Sequence, residues 1–305
     1  MATGHQHQSV TATGGHRPRL VVVLVITLVV LVVEVVGGLV SGSLALLADA
    51  GHMLTDAGGL ALALFASTLA QRPATDARTF GLARAEILAA LVNALLVAAV
   101  GCVVLVEAAR RWSDPPEVTT GLMLAVAVVG ALANLVCLLV LRGARRDSLN
   151  LRGVYLEVLG DLLGSLAVVV AAVVIATTGY LRADALASAA IGLMILPRAW
   201  RLLRDVVDVL LEATPRGVDL DEVREHVRDV EGVVDVHDLH AWTITSGVAV
   251  LSAHVVVDDE CVAQGRSGEV LDRLGECLGD HFDLEHCTFQ LEPVGHQAHE
   301  GAHHP

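Results

Sequence analysis

Long apolar segments alternate with short polar ones over the first two thirds of the chain. Six of these segments contain roughly 20 residues or more, the length that an α-helix needs to cross the hydrocarbon core of a bilayer. They lie at 20–40, 44–70, 83–109, 118–141, 154–178 and 183–204. The sixth loses its continuous apolar character near Pro197, where we expect a kinked or thinned helix. The pattern predicts an α-helical membrane domain of six transmembrane helices.

The periodicity changes after this region. Two amphipathic helices and three strands are predicted in the order αββαβ, at 219–230, 233–244, 247–257, 264–280 and 284–292. This order is typical of a small α+β domain. The two ends of the chain are polar, contain several histidines, and are expected to be disordered. The predicted divisions are a tail, the membrane domain, the α+β domain and a second tail, at 1–18, 19–211, 212–293 and 294–305.

The composition agrees with a membrane domain followed by an acidic one. Hydrophobic residues make up 54% of the 305 residues, too large a share for an ordinary soluble domain. From residue 212 onward there are 20 Asp and Glu against 5 Arg, so this third carries essentially all of the net charge of −14. Nucleic acid is not an expected partner, because a basic surface is missing. The five cysteines lack framework spacing, which argues against a disulfide scaffold.

Arginines in the short loops set the expected orientation. They are concentrated in the N-terminal segment and in the loops 71–82 and 142–152, whereas loop 41–43 has none and loop 179–182 has one. Positive residues favour the cytoplasmic side, so both termini and the acidic domain are expected there. Loop 110–117 is a partial exception, since two arginines stand beside two acids. The short loops and modest size favour a bacterial plasma (inner) membrane.

Few ionisable residues lie inside the apolar segments, and four of them form two matching pairs. His52 and Asp56 are four residues apart in the second segment, and Glu157 and Asp161 repeat this spacing in the fifth. Residues four apart share one face of a helix, so two packed helices can present four ligands to one divalent ion. We expect no arginine at this depth, which leaves a dication to neutralise them. Alternatively, these groups pair with one another or with arginine and only hold the helices together.

Three further acids lie in the apolar segments. Asp49 precedes His52 by three residues, near the same face, and is a secondary candidate for the ion pathway. Glu34 and Glu107 are more typical of pore-lining or pairing residues than of metal ligands.

Several segments resemble the cation diffusion facilitator family, over about residues 18–294. They are "SGSLALLADAGHMLTDAGGLALAL", "ARAEILAALVNALLV", "VLGDLLGS", "VHDLHAWTITSG", "LSAHVVV" and "HCTFQLEP". The resemblance is strongest to zinc-exporting members. It implies a metal exporter that works as a proton antiporter by alternating access, a metallochaperone-like cytoplasmic domain, and a homodimer. His52, Asp56 and Asp161 match the transport site of the family.

Two departures from the family affect the expected metal. Zinc exporters typically have histidine at the position of Glu157, and a loop histidine where this chain has Ala83. One neutral histidine and three carboxylates leave a formal charge of −1 around a dication, so at least one carboxyl is expected to hold a proton once the metal leaves. Zn²⁺ remains the first expectation, and this harder ligand set shifts some weight toward Co²⁺, Fe²⁺ and Mn²⁺. Cd²⁺ is a further alternative cargo.

A second metal site is predicted in the α+β domain. A two-residue hairpin turn at Thr245-Ser246 places His237 directly opposite His254, and a turn one residue later leaves them diagonal neighbours on one face. His240 has the opposite parity to His237, so the two cannot point the same way in a regular strand.

His286 is the expected third ligand of this site, because the resembled family places a ligand near it. Glu292 shares the face of His286, but six residues of strand span about 20 Å, too far for both to bind one ion. Glu292 and His240 are therefore secondary candidates. A bound ion would reduce the repulsion between acidic domains and would give this site a sensing role.

Other classes of protein remain as alternatives. A membrane-bound metal sensor or receptor would bind ions without moving them, but no effector domain follows residue 292. An intramembrane metallohydrolase would need a general base, and the chain has no HExxH motif. A passive channel conflicts with a four-ligand site, which would slow the departure of the ion. We therefore expect a transporter, not an enzyme, with no catalytic residues.

Overall fold

The computed structural model describes residues 17–142, 149–282 and 286–296. The predicted tails lie almost entirely outside these ranges. The described residues form two compact units. One unit comprises the residues up to 61 together with 93–201, and the other comprises 62–92 together with the residues from 202 onward.

Six long helices confirm the predicted membrane spans. Their bounds are α1 (Arg17–Ser41), α2 (Leu44–Ala70), α3 (Ala85–Ser113), α4 (Thr120–Leu141), α5 (Leu149–Thr178) and α6 (Arg182–Leu210). Each contains a segment long and apolar enough to cross a bilayer. Helix α6 continues through Pro197 to Leu210, six residues beyond the predicted end of the last span.

Helix α4 is the central packing element of the first unit. It packs along both α1 and α5. Gly37 permits the close approach of α1, because a Cβ atom there would lie 2.6 Å from a methyl group of Val126. Large apolar side chains such as Leu39 and Val103 remain exposed on the outer faces. Exposed apolar faces of this extent are what a lipid-facing helix surface requires.

The start of α2 is fixed by a carboxylate from α6. Asp184 is buried and accepts hydrogen bonds from the Ser43 hydroxyl (2.6 Å) and from the backbone N–H groups of Leu44 (2.9 Å) and Ala45 (3.2 Å). A helix start leaves such N–H groups without intrahelical partners, so this contact satisfies them. The Arg111 guanidinium lies 3.6 Å from the same carboxylate and balances its charge.

The second unit contains the predicted αββαβ domain. Its elements are α7 (Leu220–Arg228), β1 (Val233–Thr245), β2 (Val248–Val257), a short α8 (Asp259–Ala263), α9 (Ser267–Phe282) and β3 (His286–Pro293). The strand order is β1-β2-β3, with β1 antiparallel and β3 parallel to β2. Leu251, Leu274 and Leu278 are fully buried where α7 and α9 cover one face of the sheet.

The β1–β2 hairpin differs from the expected one in its turn. The turn residues are Ser246 and Gly247, since Thr245 pairs with Val248. Gly247 has a φ of +78°, which glycine adopts without strain. Register shifts further along β1 compensate for the later turn, and His237 pairs with His254 as predicted.

Candidate metal centres

The structure brings three of the four predicted intramembrane ligands together. His52 Nε2 lies 3.7 Å from Asp56 Oδ2, one turn along α2, and 3.9 Å from Asp161 Oδ1 on α5. One ligand atom from each residue lies within 4.8 Å of the others. We call His52, Asp56 and Asp161 the membrane triad.

The membrane triad is poorly accessible to water. The side chains of His52 and Asp56 are each 13% exposed, and that of Asp161 is 5% exposed. His52 Nδ1 and Asp161 Oδ1 are buried, and neither has a hydrogen-bond partner among the described residues. Buried charges in an apolar surrounding need a partner of opposite charge, so this geometry suits a small cation held by one nitrogen and two carboxylates.

Glu157 is engaged by an arginine instead of joining the membrane triad. Arg198 of α6 donates to Glu157 Oε1 (3.1 Å) and to Asp56 Oδ2 (2.9 Å). The expectation that no arginine lies at this depth is therefore wrong. Arg198 follows Pro197 in sequence, at the end of the continuous apolar run, and its long side chain carries the charge away from its own Cα position. The acid at position 157 was the available signal for such a partner.

Asp49 does not join the membrane triad either. One of its carboxylate oxygens accepts a hydrogen bond from the Ser165 hydroxyl at 3.0 Å, and the residue is 1% exposed. The predicted nearness of Asp49 to the face of His52 thus does not make it a member of the three-residue group.

In the second unit, His237 and His254 meet a carboxylate from the third strand. The two imidazole rings have centroids 5.2 Å apart. Glu292 Oε2 lies 3.2 Å from His237 Nε2, and its Oε1 lies 2.8 Å from His254 Nδ1. Gln290 donates a hydrogen bond to the same carboxylate at 2.7 Å. We call His237, His254 and Glu292 the sheet triad; two imidazoles and a carboxylate are typical zinc ligands.

The structure does not bring His286 to this group. His286 pairs with Val250, four residues along β2 from His254, whereas Glu292 pairs with Val256, two residues from it. At about 3.3 Å per residue, His286 is too distant along the strand to share an ion with the pair. The His286 ring instead contacts Phe80, with centroids 6.4 Å apart. His286 and Glu292 are far apart along β3, as expected, but Glu292 and not His286 joins His237 and His254.

A β-bulge changes the position of His240. The register of β1 shifts between His237 and His240, and the intervening Asp238 has a φ of +49°. One extra residue reverses the parity, so His240, opposite Ser252, lies on the same face as His237. The expectation of opposite faces assumed a regular strand and is wrong. His240 bonds to Asp238 (3.1 Å) and does not belong to the sheet triad.

Comparison with known proteins gives matches over nearly the whole chain. The family model described as the cation efflux transmembrane domain matches residues 20–211. The family model of the cation efflux protein cytoplasmic domain matches residues 215–294. The metal cation efflux system protein CzcD of Cupriavidus metallidurans is 44% identical, over 100% of this chain and 94% of that protein.

Two further relatives cover almost as much. The zinc transporter ZitB of Escherichia coli is 40% identical, and a cadmium, cobalt and zinc/H(+)-K(+) antiporter of Bacillus subtilis is 36% identical. Each match covers 96% of this chain and 93% of the relative. With its six apolar helices, the chain is a multi-pass membrane protein with a cytoplasmic domain. It belongs to the cation efflux family, the cation diffusion facilitators that its sequence resembles.

Proposed function

We propose that this protein exports divalent metal cations from the cytoplasm in exchange for protons, and that the membrane triad holds the ion in transit. The observation that carries the proposal is the convergence of three ligand atoms within 4.8 Å, from two predominantly apolar helices. The names of the relatives support it, since they describe metal efflux, zinc transport and antiport with protons.

The Arg198 guanidinium is a second cation, next to the site where the metal ion is proposed to bind. Its guanidinium contacts Asp56, a triad member, and Glu157 beside it. A dication near these carboxylates repels the guanidinium, so metal binding competes with the arginine for Asp56. Protonation of the membrane triad also opposes metal binding, because His52 and the carboxylates must be deprotonated to bind metal. The arginine and the protons therefore both favour release of the ion.

Zn²⁺ is our first choice of cargo. One imidazole and two carboxylates suit zinc, and a water molecule or Glu157 would complete a tetrahedral set. Because Glu157 is bound to Arg198 and lies outside the membrane triad, it is the ligand most easily withdrawn from the ion. Cd²⁺, Co²⁺, Fe²⁺ and Mn²⁺ are the alternatives to test.

The sheet triad is the proposed regulatory site. Glu292 is 1% exposed and lies between two imidazoles, so a bound dication would replace a buried ionic contact with direct coordination. We place the protein in the plasma (inner) membrane as a homodimer, with both termini in the cytoplasm. The arginine distribution supports this orientation and the family resemblance supports the dimer.

The test is metal uptake into proteoliposomes with an imposed pH gradient, with Zn²⁺, Cd²⁺, Co²⁺, Fe²⁺ and Mn²⁺ offered in parallel. We expect gradient-dependent uptake, and a loss of more than about 100-fold in Asp161→Asn, beyond the 10–100-fold typical of residues that only support a ligand. Glu107→Gln is the matched control, because Glu107 pairs with arginines of its own helix. Tight metal binding by the wild type without uptake of any ion would instead indicate a sensor.

A further inference from the structure

Glu34, on α1, is a buried carboxylate that the membrane triad does not use. Its side chain is 0% exposed, and both of its oxygens lack a hydrogen-bond partner among the described residues. Among the described residues, no arginine forms an ion pair with Glu34. A carboxylate buried in this way requires a cation or a proton, since an isolated charge in an apolar interior is very unfavourable.

Three other helices bring oxygen atoms to the same place. The Ser165 hydroxyl of α5 donates to Asp49 Oδ2 of α2, and the Asn134 amide of α4 donates to Ser165 Oγ at 3.4 Å. The remaining oxygens, Asp49 Oδ1 and Asn134 Oδ1, are buried and have no hydrogen-bond partner among the described residues. Three helices, α1, α2 and α4, therefore present side-chain oxygens that have no hydrogen-bond partner among the described residues, and the Ser165 hydroxyl of α5 lies between them.

Two glycines on the same helices make this convergence possible. A Cβ atom on Gly130 would lie 2.5 Å from Glu34 Oε1 and 3.3 Å from Ser165 Oγ, so both oxygens approach one point on α4. A Cβ atom on Gly164 would lie 2.3 Å from Asp49 Oδ1. The glycines thus leave the space that the two carboxylates occupy against the helix backbones.

The donor set differs from that of the membrane triad. It contains only oxygens, from two carboxylates, an amide and a hydroxyl, and it lacks the imidazole nitrogen that favours zinc. Such ligands suit hard cations of the alkali and alkaline-earth groups. Asp161 of the membrane triad carries the same charge as the two carboxylates of this set and repels both.

We propose that Glu34, Asp49, Asn134 and Ser165 form a second intramembrane cation site, which binds a hard alkali or alkaline-earth ion through oxygen atoms alone. Occupancy of this oxygen site opposes metal binding at the membrane triad, because two cations then share a small, poorly solvated volume. The binding claim stands without transport, whereas the antagonism rests on the proposed role of the membrane triad.

Thermal unfolding of the detergent-purified full chain tests the site directly. Na⁺, K⁺, Mg²⁺ and Ca²⁺ chlorides are compared at constant pH with N-methyl-D-glucamine chloride of matched ionic strength. An ion that binds only the folded state raises Tm, and we expect a rise of at least about 3 °C in the wild type for the ion that fits. Glu34→Gln and Asp49→Asn should abolish this response, while Glu107→Gln should retain it.

The second measurement is the Kd of Zn²⁺ for the membrane triad, by calorimetry in a Glu292→Gln background that weakens the sheet triad. In this background, we expect the hard cation that raises Tm to raise the Kd of Zn²⁺ at least fivefold. Adding Glu34→Gln should leave that Kd unchanged by the same cation. Both effects must depend on the same residue.

Three results would overturn the proposal. The first is a wild-type Tm that responds to no hard cation, or responds equally in Glu34→Gln. The second is a Glu34-dependent response to pH alone, which would show that protons neutralise the carboxylates. The third is a Glu34-dependent response to Zn²⁺ alone, which would make the cluster part of the metal pathway. A failure of wild-type metal uptake would count against the exporter and leave the Tm result intact.

Discussion

The membrane triad and the sheet triad use similar ligands but surround them with different neighbours. In the membrane triad, Asp56 is shared with the guanidinium of Arg198, a cation supplied by the protein. In the sheet triad, Glu292 is supported by the amide of Gln290, a neutral donor. A neutral neighbour does not oppose a bound dication, whereas a fixed positive charge does.

This difference fits two uses of a metal ion. A transport site has to release its ion in every cycle, and a competing cation assists the release. A regulatory site responds to the concentration of metal and benefits from a stable set of ligands, which hydrogen bonds from neighbouring groups provide. The two sites should therefore respond in opposite ways when their neighbours are removed.

The largest effect is expected from Glu292→Gln. Removing the carboxylate common to both imidazole contacts should weaken metal binding at the sheet triad by about 100-fold or more, beyond the effect of a supporting residue. Equilibrium dialysis of the full chain in an Asp161→Asn background isolates this site. His286→Ala is the control and should change the affinity less than twofold, since His286 pairs with Val250, four residues along β2 from His254. An equal loss in both variants would restore His286 as the third ligand.

Arg198→Gln should strengthen metal binding at the membrane triad. Loss of the competing guanidinium should lower the Kd of Zn²⁺ by about fivefold to tenfold, roughly 1 kcal/mol, as expected for a half-exposed ion pair. Calorimetry in a Glu292→Gln background provides the measurement. Arg201→Gln, one turn further along α6, is the matched control, because Arg201 bonds to the backbone oxygen of Pro197. Weaker binding in Arg198→Gln would show that the arginine supports the site.

The smallest effect concerns Asp235, two residues before His237 on β1. Partial burial raises the pKa of this carboxyl, but hydrogen bonds from Arg228 and from the Val236 N–H outweigh it and hold the pKa below its usual 3.8. A lowered pKa stabilises the folded state above pH 3.8, and this stability is lost as the pH falls through the folded pKa.

Asp235→Asn should therefore cost about 0.5 kcal/mol or less at pH 7, because the ion pair is half exposed, and Tm should fall by roughly 1 °C. Differential scanning fluorimetry at pH 7 and at pH 3 measures the change, and the difference in Tm should be smaller at the lower pH. A Tm difference that grows on acidification would contradict the lowered pKa.

The parts of both sites that depend on local spacing could be predicted from the sequence. His52 and Asp56 share a helix face because of the four-residue period, and Asp161 meets them because α2 and α5 each carry an isolated polar turn. The pairing of His237 with His254 follows from hairpin symmetry, although the sequence predicts the turn one residue earlier than the structure has it. The register shifts in β1 restored that pairing, and nothing in the alternation of residues indicates where a bulge occurs.

Contacts set by distant elements could not be predicted in the same way. Glu292 reaches the imidazoles because β3 runs parallel to β2 in a register that pairs Glu292 with Val256, two residues from His254. Arg198 reaches Asp56 because a long side chain extends from a helix that is 142 residues away in sequence. Neither the register of a parallel strand nor the reach of a side chain is encoded in a local pattern of apolar and polar residues.

The carboxylate of Asp184 has a mechanical consequence for α2 and α6. These two helices are joined at the start of α2 by Asp184 and again at Asp56 by Arg198. About 18 Å of helix separates the two attachments, at 1.5 Å per residue. A metal ion that displaces Arg198 opens only the second attachment, so the first becomes a pivot. The start of α2 then stays attached to α6 through Asp184 while the contact at Asp56 is released.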